Sequence, residues 1–236
     1  MRRRLLPFAS GGPRPEEGGS GFVGLVEAIR RGELDADIQF VVTNHLEGGV
    51  WNKAKRLGVI PIYMPKPYTA EHYQRLVAET DAEIVTLSGW LKMVFGLEDD
   101  TTNIHPGYMG LPLPVGAGPF SGDGMHGHFV HDKVMADIRA GLIPPYSAVT
   151  MHFVPSKPTK LGEEVVYDDP RWIIFRKLVE VDPSWSAIQL AQAVNRVEHE
   201  WQPKILNAVV NGDIRITNGQ VFIDPDWVPV EIMPAL

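Results

Sequence analysis

The sequence predicts an α/β protein with a mostly parallel sheet, helices on both faces and a C-terminal hairpin. Three observations carry this. Short apolar runs alternate with amphipathic helical stretches as βαβαβαβ up to Trp90, the order that builds parallel sheets. A chain of 236 residues, 44% apolar and 22% charged, is long enough for one large α/β domain with a buried core. The tail IRITNGQVFI, Ile214 to Ile223, sets Asn218-Gly219 between two alternating runs, a hairpin signature.

Each element follows in order. RLLPFAS, 4–10, reads as a buried strand, with Pro7 favouring an edge or a bulge because it cannot donate to a ladder. GGPRPEEGGSG, 11–21, is a Gly/Pro-rich loop. Phe22, Leu25, Val26 and Ile29 have helical spacing, and Gly32 is the stop. ADIQFVVTN (36–44) and VIPIYM (59–64) read as strands around a helix over 49–58. A helix over 69–80 is capped by Thr69, and AEIVTLSGW, 82–90, is the fourth strand. Residues 106–128 form a long loop, a length that usually signals function or disorder. A helix over 132–141, strands over 147–154 and 171–181, and a long helix over 186–212, interrupted or kinked at Pro203, complete the chain. The expected division is a single domain, 1–236, with a phosphate-binding half (1–102), a catalytic half (103–212) and a tail hairpin (213–236).

Composition narrows the function. A net charge of −7 leaves no basic stripe for nucleic acid. The absence of cysteine excludes disulfides, thiolate metal sites and thiol catalysis. No window approaches the roughly 18 apolar residues of a membrane helix. Arg2-Arg3-Arg4 is read as a solvated start, because the apolar stretch after it is too short for a signal peptide. A cytoplasmic location is the default expectation, as a monomer or homodimer.

Four constellations carry possible chemistry. GGSGF, Gly18 to Phe22, joins a first strand to a helix, so its N–H groups could cradle a phosphate; the alternative is a flexible surface loop. It lacks GxGxxG and a Walker lysine, against dinucleotide or nucleoside-triphosphate binding. NIHPG, 103–107, puts Asn103 and His105 on one face of an extended segment. An amide and an imidazole together suit polarising a carbonyl and stabilising an oxyanion, and an isolated pair of this kind is equally a structural histidine in a turn. His126, His128 and His131 have no carboxylate or cysteine nearby to complete a metal pattern, so no metal site is assigned. VEHE, 197–200, reads alone as a solvated helix face with one buried histidine.

Taken in order and spacing across roughly residues 4 to 212, these segments resemble the folate-dependent formyltransferases, in particular the branch acting on glycinamide ribonucleotide in purine synthesis. SGG…GGSGFVGLVEAIRRGELDADIQFVVTN is similar to that family's first strand, phosphate loop, helix and second strand. AEIVTLSGWLKMV is similar to its PDLVVLAGFMRIL-type segment, and NIHPG to its NIHPS motif, the most specific signal of the set. GMHGH, SAVTMHFV and NRVEHEWQPKILNAVVNGDI resemble its later elements. The resemblance implies a Rossmann-like formyltransferase fold with 10-formyltetrahydrofolate as co-substrate and a small phosphorylated amine as acceptor. By position it implies phosphate contacts at Gly19, Ser20 and Gly21, and a ribose contact near Glu198. It further implies a folate pocket along Leu91, Lys92 and Met93, and a catalytic pair in Asn103 and His105. A sibling transferase for another amine, such as an amino sugar, and a binding homologue without catalysis are the alternatives.

The chain also departs from that pattern. The family's catalytic aspartate, shortly after VHFV, has no counterpart between His152 and Gly162. Asp123, Glu163, Glu164 and Asp168 are candidate carboxylates, none at the family's spacing. Lys92 stands where the family has arginine, and the phosphate loop carries the insertion PRPEE. Its Glu16 and Glu17 would repel a phosphate if they pointed inward, with Arg14 available to compensate.

Overall fold

The computed structural model describes residues 2–98, 100–110, 113–122, 124–157, 159–161, 164–166, 170–217 and 219–227. The strands are β1 (Arg3–Phe8), β2 (Ala36–Asp37), β3 (Phe40–Thr43), β4 (Ile60–Tyr63), β5 (Ile84–Leu87), β6 (Thr102–His105), β7 (Tyr146–Phe153), β8 (Thr159–Leu161), β9 (Glu164–Val166), β10 (Ile173–Glu180), β11 (Ile214–Thr217) and β12 (Gln220–Ile223). The helices are α1 (Ser20–Arg31), α2 (Gly49–Leu57), α3 (Ala70–Thr80), α4 (His128–Arg139) and α5 (Ala187–Asn211).

The main sheet runs β10-β7-β6-β5-β1-β3-β4, with β2 beside β1. Pairing is parallel from β4 through to β6 and antiparallel for β6–β7 and β7–β10. Alternation decides which side each apolar residue buries. Leu5, Val41 and Ile84 join Phe22, Leu25, Val50, Ala54, Ile205 and Leu206 beneath α1, α2 and α5. Leu6, Phe8, Val42, Val85 and Leu87 face the other way, onto Tyr73 and Leu76 of α3. A third cluster packs α4 against α5 over Ile104, Ala148, Val149 and Val179.

Several expectations change. Pro7 lies in the central strand, not at an edge. The ladder is broken beside it: β2 pairs with Arg3 and Arg4, and β3 meets β1 at Phe8, so the expected strand over 36–44 is split at Ile38-Gln39. The missing N–H of Pro7 therefore falls in a gap between two short strands. α1 starts at Ser20 and α4 at His128, each earlier than its apolar periodicity suggests, because their first turns face the cavity described below. α5 runs unbroken through Pro203. Pro203 is itself buried, and Ile205, Leu206 and Val209 beyond it are as deeply packed as Leu190, Ala193 and Val194 before it. Packing on both sides outweighs the ~3 kcal/mol penalty of an interior proline. β8 and β9 form a small hairpin unforeseen in the sequence, and β11–β12 pair antiparallel as the tail predicts. Among the described residues no helix is long and apolar enough to cross a membrane.

Thr69 caps α3, its side chain accepting from the His72 N–H at 3.3 Å. Thr69→Ala is expected to lower the unfolding free energy by about 1 kcal/mol, read from the urea midpoint. An unchanged midpoint would mean that the cap contributes nothing.

Candidate active site

A cavity of about 920 Å³ opens at the carboxyl ends of β1, β5 and β6 and is walled on the far side by α4 and α5. This is where parallel α/β sheets place ligands, since loops diverge there. Gly19, Ser20, Gly21, Leu91, Lys92, Met93, Asn103, His105 and Glu198 all line it, although they come from four separate segments.

The first turn of α1 forms part of the wall. Gly19 precedes it in the left-handed region (φ 78°), no side chain caps it, and its first turn holds no acidic residue. Its N–H groups are thus left for an anion. The two glutamates of the inserted loop turn away: Glu16 pairs with Arg56 at 2.9 Å and Glu17 with Arg14 at 3.2 Å. Arg14 therefore neutralises Glu17 rather than reaching for a phosphate. Lys53 fastens the loop, its ammonium donating to the carbonyls of Glu16 (2.8 Å) and Gly18 (2.7 Å).

The segment after β5 is held by a buried chain of donors. Trp90 Nε1 donates to the Tyr73 hydroxyl at 3.1 Å, and that hydroxyl donates to the Met93 carbonyl at 2.8 Å. Burial pushes the Tyr73 phenol up to about 12, so it stays a donor at any ordinary pH. The Leu91 N–H donates to Ser10 Oγ at 2.9 Å. With its backbone fixed, the segment presents Leu91 and Met93 at 38% and 40% exposure, an apolar wall left uncovered. Lys92 lies over the Tyr68 ring, 5.9 Å from its centroid.

Asn103 and His105 on β6 line the same cavity. Asn103 sits opposite His152 in the antiparallel register with β7, and its Nδ2 is 3.0 Å from His152 Nε2. His152 Nδ1 is 2.9 Å from the Phe153 carbonyl, which can only accept, so the proton is on Nδ1 and Nε2 accepts from Asn103. Asn103 keeps its second N–H. His105 is buried, and its Nε2 donates to the Phe120 carbonyl at 2.5 Å. That carbonyl comes from the 106–128 loop, and Gly107 makes room for it. A Cβ on Gly107 would lie 3.0 Å from Phe120 O and 3.1 Å from His105 Nε2.

α5 supplies the remaining wall. Asn195 Nδ2 donates to Glu198 at 3.3 Å, and burial pushes the Glu198 carboxyl up to about 7, against the pull of that hydrogen bond. His131, on the first turn of α4, lines the same space; it is 6% exposed, and burial, then the charge of His105, pull it down to about 4. Asp132 and Glu198 are the acidic side chains of the wall among the described residues. Of the carboxylates proposed to replace the family's aspartate, Asp123, Glu163 and Asp168 lie outside the described residues, and Glu164 falls on β9. Among the described residues, no group of three or more His, Asp or Glu could hold a metal ion. His152, Asn195, His131 and Gln202 are wall residues that sequence reading did not assign. Only the β6–β7 register reveals that His152 faces Asn103.

No protein-family model matches the chain. It is 29% identical over 222 residues to a chloroplastic phosphoribosylglycinamide formyltransferase of Vigna unguiculata, covering 88% of this chain and 61% of that protein. The chain thus spans about three fifths of that relative's length. It is 22% identical to the enzyme of that name from Bacillus subtilis, over 88% of this chain and 95% of the other. Among solved structures, glycinamide ribonucleotide transformylase 1 from Geobacillus kaustophilus superposes with a TM-score of 0.66 at 23% identity, covering 89% and 100% of the two chains. A formyltetrahydrofolate deformylase from Pseudomonas syringae also superposes, at 0.66 and 18% identity, covering 94% and 66%. The chain is similar to phosphoribosylglycinamide formyltransferases and has the Rossmann-like fold of the solved transformylase.

The two shifted groups act on stability in opposite directions. His131 is lowered from 6.5 to about 4, so the folded state resists protonation and stability is lost as pH falls through that window. Glu198 is raised from 4.5 to about 7, so the folded state keeps a proton and stability is lost as pH rises through that window. Melting temperatures between pH 4 and 8 should show a shallower acid limb for His131→Asn and a shallower rise-side loss for Glu198→Gln. Profiles parallel to the wild type would refute both assignments.

Proposed function

We propose that this protein transfers a formyl group from 10-formyltetrahydrofolate to the amine of a small phosphorylated substrate, glycinamide ribonucleotide being the best fit. One observation carries the reading: Asn103 and His105 line a single cavity together with an uncapped helix N-terminus and the apolar Leu91–Met93 wall. The residues present fit two ligands at once. Gly19, Ser20 and Gly21 offer backbone donors to a phosphate, and Leu91 and Met93 offer an apolar surface to a pterin ring. The cavity volume lies at the upper end of the roughly 300–1,000 Å³ usual for ligand sites. Similarity to proteins named phosphoribosylglycinamide formyltransferase supports the same reading.

The chemistry is direct transfer. The substrate amine forms a bond to the formyl carbon, the carbonyl oxygen gains charge, the bond to the folate nitrogen breaks, and the proton lost by the amine ends on that nitrogen. The second N–H of Asn103 is a donor for the developing oxyanion, and the imidazole of His105, whose Nε2–H is held by the Phe120 carbonyl, adds positive charge to it when protonated. Their positions are set before the substrates arrive, Asn103 by His152 and His105 by the Phe120 carbonyl, so little reorganisation is required in the transition state. Glu198, its carboxyl pushed up by burial to about 7, would bond a ribose hydroxyl and could donate or accept.

Mixing the protein with glycinamide ribonucleotide and 10-formyltetrahydrofolate should yield formylated amine. His105→Ala and Asn103→Ala should each lower kcat by about a hundredfold or more while folate affinity stays within a few-fold. Release of formate without formylated amine would instead identify hydrolysis, the activity named for the deformylase neighbour. Full activity in His105→Ala would remove that residue from the mechanism.

A further inference from the structure

Gln202 is a polar group that the proposed reaction leaves unused. It lies on α5 in the cavity wall, 1% exposed. Its Oε1 accepts from Ser88 Oγ at 3.0 Å, while its Nε2, equally buried, meets no acceptor. Buried amides ordinarily satisfy both ends, so an unmatched donor in a ligand cavity marks a bond that a ligand completes. The neighbours say which ligand. A Cβ built on Gly21 would fall 2.4 Å from Ser88 Oγ and 3.6 Å from Gln202 Oε1, so Ser88 and Gln202 press directly on the first turn of α1. That turn has no side-chain cap and no acidic residue, and the Lys53 ammonium reaches the carbonyl of Gly18 just before it. The dipole of the uncapped first turn of α1 and the nearby Lys53 ammonium favour an anion there.

We propose that Gln202 is a phosphate-binding residue: Nε2 donates to a phosphoryl oxygen of a phosphate monoester held at the start of α1. Ser88 is the positioning residue, its hydroxyl occupying Oε1 so that the NH₂ end faces the anion. The inference rests on reading the first turn of α1 as a phosphate site. It adds a side-chain donor to a site otherwise built from backbone, and a carboxamide supplies that donor without adding charge.

Titration calorimetry of the whole chain with ribose 5-phosphate tests it, with unphosphorylated ribose as reference. Gln202→Leu should weaken ribose 5-phosphate binding about tenfold, as expected for one hydrogen bond to a charged oxygen. Gln202→Glu should weaken it further, by placing a carboxylate against the phosphate, and Ser88→Ala should weaken it less than Gln202→Leu, because the amide remains but can turn. Melting temperatures check folding, and Gln202→Met gives the same reading should the leucine variant not fold. Wild-type binding with Gln202→Leu within twofold of it, even with a lowered melting temperature, overturns the role of Gln202 and leaves the phosphate site standing. No wild-type preference for ribose 5-phosphate over ribose overturns both.

Discussion

The hydrogen bond from Asn103 to His152, 3.0 Å across the β6–β7 ladder, is the constraint on which the site depends. β6 is the strand at which the sheet changes from parallel to antiparallel pairing. Its carboxyl end therefore opens into the cavity, while its neighbour β7 runs back past it and delivers a histidine from the opposite direction. A one-residue slip in that register would carry His152 to the other face and leave the Asn103 amide without an anchor. The 1% exposure of His152 and its second bond to the Phe153 carbonyl make the anchor rigid.

His105 is held by different means. Its partner is a backbone carbonyl from a long loop, and that loop is fastened at separate points by buried groups. Thr150 Oγ1 donates to the Gly107 carbonyl at 2.7 Å, Arg176 Nη2 donates to the Met109 carbonyl, and Asp137 accepts from the Gly118 N–H at 2.9 Å. Asp137 is 3% exposed and shares its charge with Lys133. An irregular segment tied to buried side chains can position a carbonyl as firmly as a strand does, which is how a Gly- and Pro-rich stretch comes to orient an imidazole. Gly107 belongs to the same arrangement, since a side chain there would displace the carbonyl or the ring.

The apolar end of the cavity depends on the core beneath it. Trp90 is packed edge-on against Phe8 and Tyr73, and through its indole N–H and the Tyr73 hydroxyl it fixes the Met93 carbonyl. Loss of core packing on the α3 side would thus be felt in the Leu91–Met93 wall before it was felt at Asn103. The phosphate end depends on charge placement. The insertion that looks hostile to an anion has both glutamates paired with arginines on its outer side, and its inner side offers backbone N–H groups, with Lys53 held close by.

The sequence alone determined the α/β order, the Thr69 cap, the tail hairpin and the identity of the segments that meet at the cavity. Each of these is local: hydrophobic period, turn chemistry and short motifs are read within one stretch of chain. Helix starts at Ser20 and His128 escaped notice because cavity-facing turns carry glycine and histidine instead of an apolar stripe. Pro7 sits in an interior strand and α5 continues through Pro203 because burial from distant segments outweighs a local penalty. What only the tertiary structure decided is which side chains face one another. His152 against Asn103, the Phe120 carbonyl against His105, and Ser88 with Gln202 against Gly21 join residues 49, 15 and up to 181 positions apart. Such pairings are set by strand register and helix packing, and no residue in either partner's neighbourhood encodes them.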